Sequence, residues 1–176
     1  MGHPQRKNLG VGMNCTANMV EPQLVTVRPW TTAVVHDVVP LTGLRDFYDV
    51  SFHSVVQTIA AQQRAIMSPA FGLYRGEPGD LLDVEVGFAT ERPVIPQARV
   101  VAGSLPGGAV ARTTHFGGFD GIAEAWDRLG AWLAEQNLRP AAHRWEVYVT
   151  DPAPDIDPAD LRTELNWPLV LADGDR

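Results

Sequence analysis

The feature that most constrains the fold of this chain is a strand–helix–strand–strand order that occurs twice. In the first half, β-branched residues in 24–39 predict a strand pair or one broken strand. A helix is predicted between residues 43 and 68, followed by strands at 70–74 and 82–88 around a turn. Pro69, which cannot continue a helix, marks the predicted end of the helix. The apolar face of this helix has the i, i+3, i+4, i+7 spacing and consists of Phe52, Val55, Val56 and Ile59.

The second half of the sequence repeats this order. Residues 98–116 are rich in strand formers, a helix begins near Phe119, and strands are predicted at 145–149 and 161–165. Asn137 is predicted to end the helix because asparagine tolerates the left-handed backbone conformation. The apolar stripe of this second helix consists of Ile122, Ala125, Trp126, Leu129 and Leu133.

The two halves can be matched through one strand each, since 71–74 and 145–148 occupy the same position after their helices. We therefore predict an α+β fold of duplicated βαββ units with pseudo-two-fold symmetry. In this fold, antiparallel sheets with two helices surround a central ligand pocket where the halves meet. The alternative is that a chain without duplication shows the same order by coincidence.

Length and composition limit the class of protein. A chain of 176 residues that is 45% apolar fits one domain, predicted at 21–176 after a flexible leader at 1–20 that is polar, rich in Gly and Asn and without periodicity. With a net charge of −7, the chain has no basic surface for a nucleic-acid backbone, so we expect no nucleic-acid binding by itself. No apolar run approaches the ~20 residues of a membrane span and no secretion signal is present, which predicts no membrane partner and a cytoplasmic location.

Motifs for metal, covalent or phosphate chemistry are missing from the sequence. No serine lies in a Gly-x-Ser-x-Gly motif, the single Cys15 lies in the leader, and the Gly pairs do not form a phosphate loop. His115, at the end of a strand, is expected to be partly exposed. We predict no metal and no cofactor. The histidines of the predicted domain lack the spacing of a zinc site, and they are His36, His53, His115 and His143.

Strand alternation places the candidate site residues on one face. Glu146 and Tyr148 share a face of their strand, and Gly72 and Tyr74 share a face of the matching strand. This predicts two tyrosines around one carboxylate, opposite a glycine that leaves open space, with Trp126 of the second helix as a candidate for the cavity wall or for core packing. Such a pocket suits a cationic, flat, lipophilic ligand. The alternative is that Glu146 faces solvent on an edge strand and the tyrosines are ordinary core residues.

Five stretches of the sequence match one known family in order and spacing. The most specific is Trp145-Glu146-Val147-Tyr148 followed by Asp151-Pro152, and the full set is 73–76, 83–88, 105–108, 113–122 and 145–152. They resemble the GyrI-like family, and the likeness extends over about 21–169.

The resemblance implies a two-repeat βαββ domain similar to the effector-binding domains of multidrug-responsive regulators of AraC and MerR type, which bind cationic aromatic drugs. In that family a strand glutamate contacts the ligand, and Glu146 stands at its position. The resemblance also implies Tyr148 and Tyr74 as pocket walls. Where the family often has a Gly-Pro-Tyr turn, this chain has Gly118-Phe119-Asp120, so the Phe119 ring, without a tyrosine hydroxyl, is expected to line the cavity.

Three functions stay open on the sequence. The first is a stand-alone protein that binds cationic or lipophilic aromatic small molecules of the multidrug type, in a sensing, sequestering or resistance role. The second is an enzyme, since some GyrI-like proteins hydrolyse electrophilic cyclopropane-bearing natural products, and Glu146 would then be the catalytic base. The third is a protein-interaction module, as in a gyrase inhibitor, with a protein partner. The residues before Glu21 are too few for a helix-turn-helix domain, so we do not expect this chain to regulate transcription by itself.

Overall fold

The computed structural model describes residues 19–150 and 155–170 of the chain. The strands are β1 (Gln23–Val27), β2 (Trp30–Pro40), β3 (Phe71–Arg75), β4 (Leu81–Ala89), β5 (Val101–Leu105), β6 (Gly108–Phe116), β7 (His143–Tyr148) and β8 (Arg162–Pro168). The helices are α1 (Leu44–Ala61) and α2 (Ile122–Glu135). Most of the predicted leader lies outside the described residues, but its last two residues, Met19 and Val20, bridge to the backbone of β6.

The eight strands form one sheet in the order β1-β6-β8-β7-β3-β4-β2-β5, and all neighbours are antiparallel. If β1, β2, β3 and β4 are treated as equivalent to β5, β6, β7 and β8 respectively, the strand order is the same when it is read from either edge of the sheet. The two halves therefore meet at the β3–β7 pair, which we call the seam. The predicted α+β fold with antiparallel strands and two helices is confirmed. The duplication itself stays a prediction, with which the strand order agrees.

The strand-rich segments 24–39 and 98–116 each form two strands that pair with different halves of the sheet. β1 pairs with β6 while β2 pairs with β4, and β5 pairs with β2 while β6 pairs with β8. The chain crosses from one half of the sheet to the other in the β1–β2 connection and again in the β5–β6 connection. These two connections are in close contact, since a Cβ added at Gly107 would lie 2.9 Å from the backbone nitrogen of Pro29. A residue with a side chain at position 107 would separate these connections.

The first helix ends earlier than the sequence predicts. The pattern predicts a helix as far as Ser68, before Pro69, but α1 ends at Ala61. Gln63 adopts a positive φ of 52°, and the N–H groups of Gln63 and Arg64 bond to carbonyls of the last helical turn at 3.1 and 3.0 Å. This is the Schellman arrangement that terminates helices, here without glycine. Asn137 terminates α2 in the same way, with a φ of 54°, as predicted.

Each helix packs against its own half of the sheet. The cluster under α1 includes Phe47, Val55, Ile59, Val35, Val84 and Val86. The cluster under α2 includes Ala125, Trp126, Leu129, Leu133, Ala111 and Leu165. A third cluster covers the opposite face of the sheet and consists of Val34, Phe71, Leu73, Leu105, Val110 and Trp145. Residues of the seam that point to the helix face therefore lie between the two helices.

Candidate functional site

Glu146 lies at the seam, in the middle of the sheet. It is paired with Gly72 of β3 on one side and with Leu165 of β8 on the other. Its side chain points to the helix face, as Leu165 does, because directly paired residues share a face. Only 5% of Glu146 is exposed. The alternative of a solvent-facing glutamate on an edge strand is therefore wrong.

Two side chains donate hydrogen bonds to the Glu146 carboxylate. The indole Nε1–H of Trp126 donates to Oε1 at 2.8 Å, and the hydroxyl of Tyr148 donates to Oε2 at 2.7 Å. Each carboxylate oxygen is thus held by one donor, which fixes the orientation of the group. Trp126 was predicted to line the cavity or to pack in the core. In the structure it also connects α2 directly to the Glu146 carboxylate.

A third tyrosine, which was not predicted from the sequence, completes the site. The hydroxyl of Tyr48 in α1 lies 3.0 Å from that of Tyr148, and it also forms a hydrogen bond with the hydroxyl of Tyr74. The signal for Tyr48 is its helical spacing, four residues before Phe52 on the apolar face of α1. The seam therefore holds three tyrosine hydroxyls in a row that ends at Glu146.

The absence of a side chain at Gly72 leaves the space in which the tyrosine hydroxyls pack. A Cβ at position 72 would lie 2.6 Å from the Tyr48 hydroxyl oxygen and 3.1 Å from that of Tyr148. The prediction of open space opposite the carboxylate needs correction, since the space that glycine leaves is occupied by the Tyr48 hydroxyl. The reason is that α1 brings a long side chain over the seam, which strand alternation alone does not reveal.

We expect Gly72→Ala to displace Tyr48 and to destabilise the fold by about 1–3 kcal/mol, the usual effect of overpacking. The added Cβ would contact the hydroxyls of Tyr48 and Tyr148, which are on rigid rings packed among other aromatic side chains and cannot easily move away. Urea denaturation of the variant and of Gly79→Ala measures this. A Cβ at position 79 would meet no atom within 4 Å, so Gly79→Ala should leave the free energy of unfolding nearly unchanged. Equal stabilities of the two variants would contradict the packing described for Gly72.

Aromatic rings surround the Tyr148 ring. Its centroid lies 6.0 Å from that of Tyr48, 6.4 Å from that of Phe52 and 5.9 Å from that of Phe119, all in edge-on geometry. Edge-on pairs of this kind are favoured by the ring quadrupoles. Phe119, predicted to line the cavity, is 47% exposed and so lies where the aromatic group meets solvent.

The α2 side of the site carries a positive charge that was also not predicted from the sequence. The Arg144 guanidinium lies 4.5 Å from the Trp126 ring centroid and 4.9 Å from that of Trp167. These are cation–π distances. Arg144 contributes favourable electrostatics to Glu146, but no described residue forms an ion pair with the carboxylate.

Burial dominates the proton affinity of the site. Desolvation raises the pKa of Glu146, and the hydrogen bonds from Trp126 and Tyr148 and the charge of Arg144 offset it only in part. Burial also raises the pKa values of Tyr48, Tyr74 and Tyr148, and the nearby Glu146 carboxylate raises them further. The phenols therefore stay protonated at neutral pH and act as donors.

The raised pKa of Glu146 predicts how stability changes with pH. A carboxyl whose pKa is higher in the folded state contributes stability below its unfolded pKa of about 4.3, and this contribution is lost as pH rises through the folded pKa. We expect the free energy of unfolding of the wild type, relative to Glu146→Gln, to fall as pH rises from about 4.3. Urea denaturation of both proteins over a pH series measures this difference. A difference that stays constant or grows with pH would contradict the raised pKa of Glu146.

His115 lies beside the site, against the turn that precedes α2. His115 is buried at 5% exposure, so the expectation of partial exposure is wrong, and its Nε2–H donates to the Gly118 carbonyl at 2.9 Å. The cause is the turn before α2, which closes over the imidazole.

In the described part of the chain, no three His, Cys, Asp or Glu side chains are grouped as metal ligands would be.

Comparison with known proteins defines the class of this domain. The family model of the GyrI-like small molecule binding domain matches residues 21–170. The chain therefore belongs to the GyrI-like family. A comparison with curated protein sequences finds no match. None of the helices in residues 19–150 and 155–170 is long and apolar enough to cross a membrane.

Solved structures share the fold at low sequence identity. The C-terminal domain of EcmrR is 18% identical with a TM-score of 0.75, over 85% of this chain and 97% of that one. In the EcmrR–DNA complex the TM-score is 0.74 at 18% identity over 85% of this chain, which spans only 57% of the EcmrR chain. SAV2435 bound to tetraphenylphosphonium is 13% identical with a TM-score of 0.59, over 86% and 95% of the two chains. A hydrolase from Listeria innocua is 13% identical with a TM-score of 0.62, over 85% and 92%.

Proposed function

We propose that this domain binds lipophilic cations that carry aromatic groups, with Glu146 as the counter-charge. The observation that carries the proposal is the state of the carboxylate, which is buried at the seam with two hydrogen-bond donors and no ion pair to a described residue. An ionised carboxylate out of water is costly unless a cation offsets it. A bound cation would provide that charge.

The surroundings of Glu146 support an aromatic cation over a metal ion or a small hydrated cation. Between α1 and the turn before α2, the Tyr148 ring makes edge-on contacts with three other aromatic rings, those of Tyr48, Phe52 and Phe119. Ring faces attract cations, and the guanidinium of Arg144 over Trp126 shows that the site already holds one in this manner. The tetraphenylphosphonium in SAV2435, which shares the fold, is a ligand of this class.

Uptake of such compounds fits a sensing or sequestering role, in which binding itself is the function. The negative net charge of −7 would attract cations to the surface before they reach the seam. This role requires that the bound compound be released unchanged.

Competition between matched compounds tests the charge requirement. Rhodamine 6G, a fluorescent aromatic cation, is titrated with protein by fluorescence polarisation and then displaced. We expect tetraphenylphosphonium to displace the dye at micromolar concentration, whereas triphenylphosphine oxide, which is aromatic and neutral, should be at least about tenfold weaker, a difference of about 1.4 kcal/mol. Equal displacement by the two compounds, or no saturable dye binding, would refute the proposal.

The alternative function is hydrolysis of an electrophilic, cyclopropane-bearing compound at the same site. It is favoured by the raised pKa of Glu146, because a carboxylate with a higher pKa is a stronger base, and by the name of the hydrolase from Listeria innocua that shares the fold. The test is chromatographic detection of a ring-opened product. Product formed by the wild type and not by Glu146→Gln would establish the enzyme, and binding without product would establish the binding protein.

A further inference from the structure

Two tryptophans on the α2 side of Glu146 form a corner of aromatic rings. Trp126 of α2 and Trp167 of β8 lie with their ring planes at 89° and their centroids 5.6 Å apart. Each indole is fixed by its own Nε1–H, which donates to Glu146 at 2.8 Å in Trp126 and to the Ala141 carbonyl at 2.9 Å in Trp167. These hydrogen bonds use the ring edges, so the ring faces stay available for other contacts. We call this pair the tryptophan corner.

The guanidinium of Arg144 occupies the tryptophan corner and is weakly anchored there. It lies 4.5 and 4.9 Å from the two ring centroids, but within the described part of the chain no residue forms a hydrogen bond or an ion pair with it. By contrast, Arg75 and Arg112 donate to a carboxylate and to an amide oxygen at 2.7 and 2.8 Å. Arg144 is also partly exposed. Its head group can therefore move into solvent without breaking a hydrogen bond to a described residue.

The charges around the corner favour a cation. Burial lowers the pKa of the Arg144 guanidinium, but the carboxylates of Glu146, Asp127 and Glu77 all favour its charged form. Three negative charges thus surround one positive charge. Ring faces and a negative potential are the two features by which proteins bind organic cations, and the corner has both.

We propose that the tryptophan corner is a second cation site of this domain, which Arg144 occupies as a tethered competitor. A ligand with one cationic group at Glu146 and another in the corner would displace the Arg144 head group into solvent. Glu146 and the corner lie at the edge and at the face of the same Trp126 indole, so the two cationic groups need to be only a short distance apart. This inference rests on the cation binding proposed above. It names compact aromatic dications as the ligand class, and Arg144 as the residue that limits their affinity.

Two compounds of the same shape and different charge test the second site. Methyl viologen is a two-ring aromatic dication, and 1-methyl-4-phenylpyridinium is the two-ring monocation. Isothermal titration calorimetry at one ionic strength gives the ratio of the dissociation constant of the monocation to that of the dication. We expect Arg144→Gln to raise this ratio about tenfold over the wild type, because it vacates the corner and a partly desolvated cation–π contact contributes about this factor.

Control variants separate the corner from the loss of a positive charge. Arg112→Gln makes the same change in net charge on the opposite face of the sheet, and it should leave the ratio within about threefold of the wild type. In the Arg144→Gln background, Trp167→Leu removes one ring at constant charge and should return the ratio to the wild-type value. Trp167→Phe, which keeps an aromatic ring, should retain most of the increase. Thermal melts show whether each variant is folded.

The outcomes distinguish the second site from the first. An unchanged ratio in Arg144→Gln, or an equal rise in Arg112→Gln, would overturn the second site and leave binding at Glu146 intact. A rise that persists in folded Arg144→Gln/Trp167→Leu would also overturn it, since the loss of charge and not the ring would then be the cause. If neither the wild type nor Arg144→Gln binds the monocation, the proposed function fails, and this inference fails with it.

Discussion

Glu146→Gln is expected to weaken rhodamine 6G binding by about 100-fold, because removing one partner of a buried charge pair usually costs 2–5 kcal/mol, or about 30- to several thousand-fold. Glutamine keeps the shape of the side chain, and its carbonyl can still accept from Trp126. Its amide can donate to Tyr148, which then donates onward along the row. The variant should therefore stay folded and lose only the charge. Fluorescence polarisation titration against the wild type measures the loss.

Glu85→Gln is the matched control for this prediction. Glu85 is also buried, at 7% exposure, but it is paired with Arg75 at 2.7 Å and lies on the opposite face of the sheet from Glu146. Its replacement makes the same change in net charge and removes a buried carboxylate elsewhere. We expect rhodamine 6G affinity within about threefold of wild type, a difference below about 1 kcal/mol. If both variants lose binding to the same extent, general surface electrostatics and not the Glu146 carboxylate would be responsible.

Trp126→Ala is expected to destabilise the fold by about 3–5 kcal/mol, the usual effect of truncating a buried aromatic side chain. Trp126 packs in the α2 cluster with Leu129, contacts Trp167 edge-on at 5.6 Å, and holds the Glu146 carboxylate. Its loss also leaves Glu146 with one donor fewer, which adds to the cost of the buried charge. Urea denaturation monitored by circular dichroism measures the change in the free energy of unfolding.

Trp132→Ala serves as the comparison for Trp126→Ala. Trp132 lies on the same helix and is only partly buried at the margin of the α2 cluster. We expect it to cost less than half as much as Trp126→Ala, because less apolar area is exposed by the truncation. Equal losses would mean that the contacts of Trp126 with Glu146 and Trp167 contribute little to stability.

The sequence predicts the part of the site that depends on strand periodicity. Alternation puts Glu146 and Tyr148 on one face, and matching of the two halves puts Gly72 and Tyr74 beside them. The structure brings these four residues together at the seam, with Gly72 directly opposite Glu146. Their contact with a ligand stays a prediction. Periodicity succeeds here because the side-chain period of a strand does not depend on distant contacts.

The rest of the site depends on how the helices are placed over the sheet. Tyr48 reaches the seam from α1, and Arg144 reaches the α2 side by lying over Trp126. In the sequence, no local pattern distinguishes Tyr48 or Arg144 from ordinary core or surface residues. The end of α1 is hard to predict for a related reason, since Gln63 adopts the left-handed conformation that is usually taken by glycine or asparagine. Tertiary contacts of Gln62 with Ile95 at 2.8 Å hold the chain beyond the helix.

The measurement that tests cation binding at the seam most directly is a crystal structure of this domain with tetraphenylphosphonium. We expect the cation at the seam, with its phosphorus within about 6 Å of an aromatic ring centroid such as Tyr148 or Phe119. Glu146 should be the nearest anionic group, and Tyr48 should have moved from the space opposite Gly72 if the ligand enters it. A cation bound elsewhere, with the Glu146 carboxylate still enclosed by Trp126 and Tyr148, would contradict the proposed function.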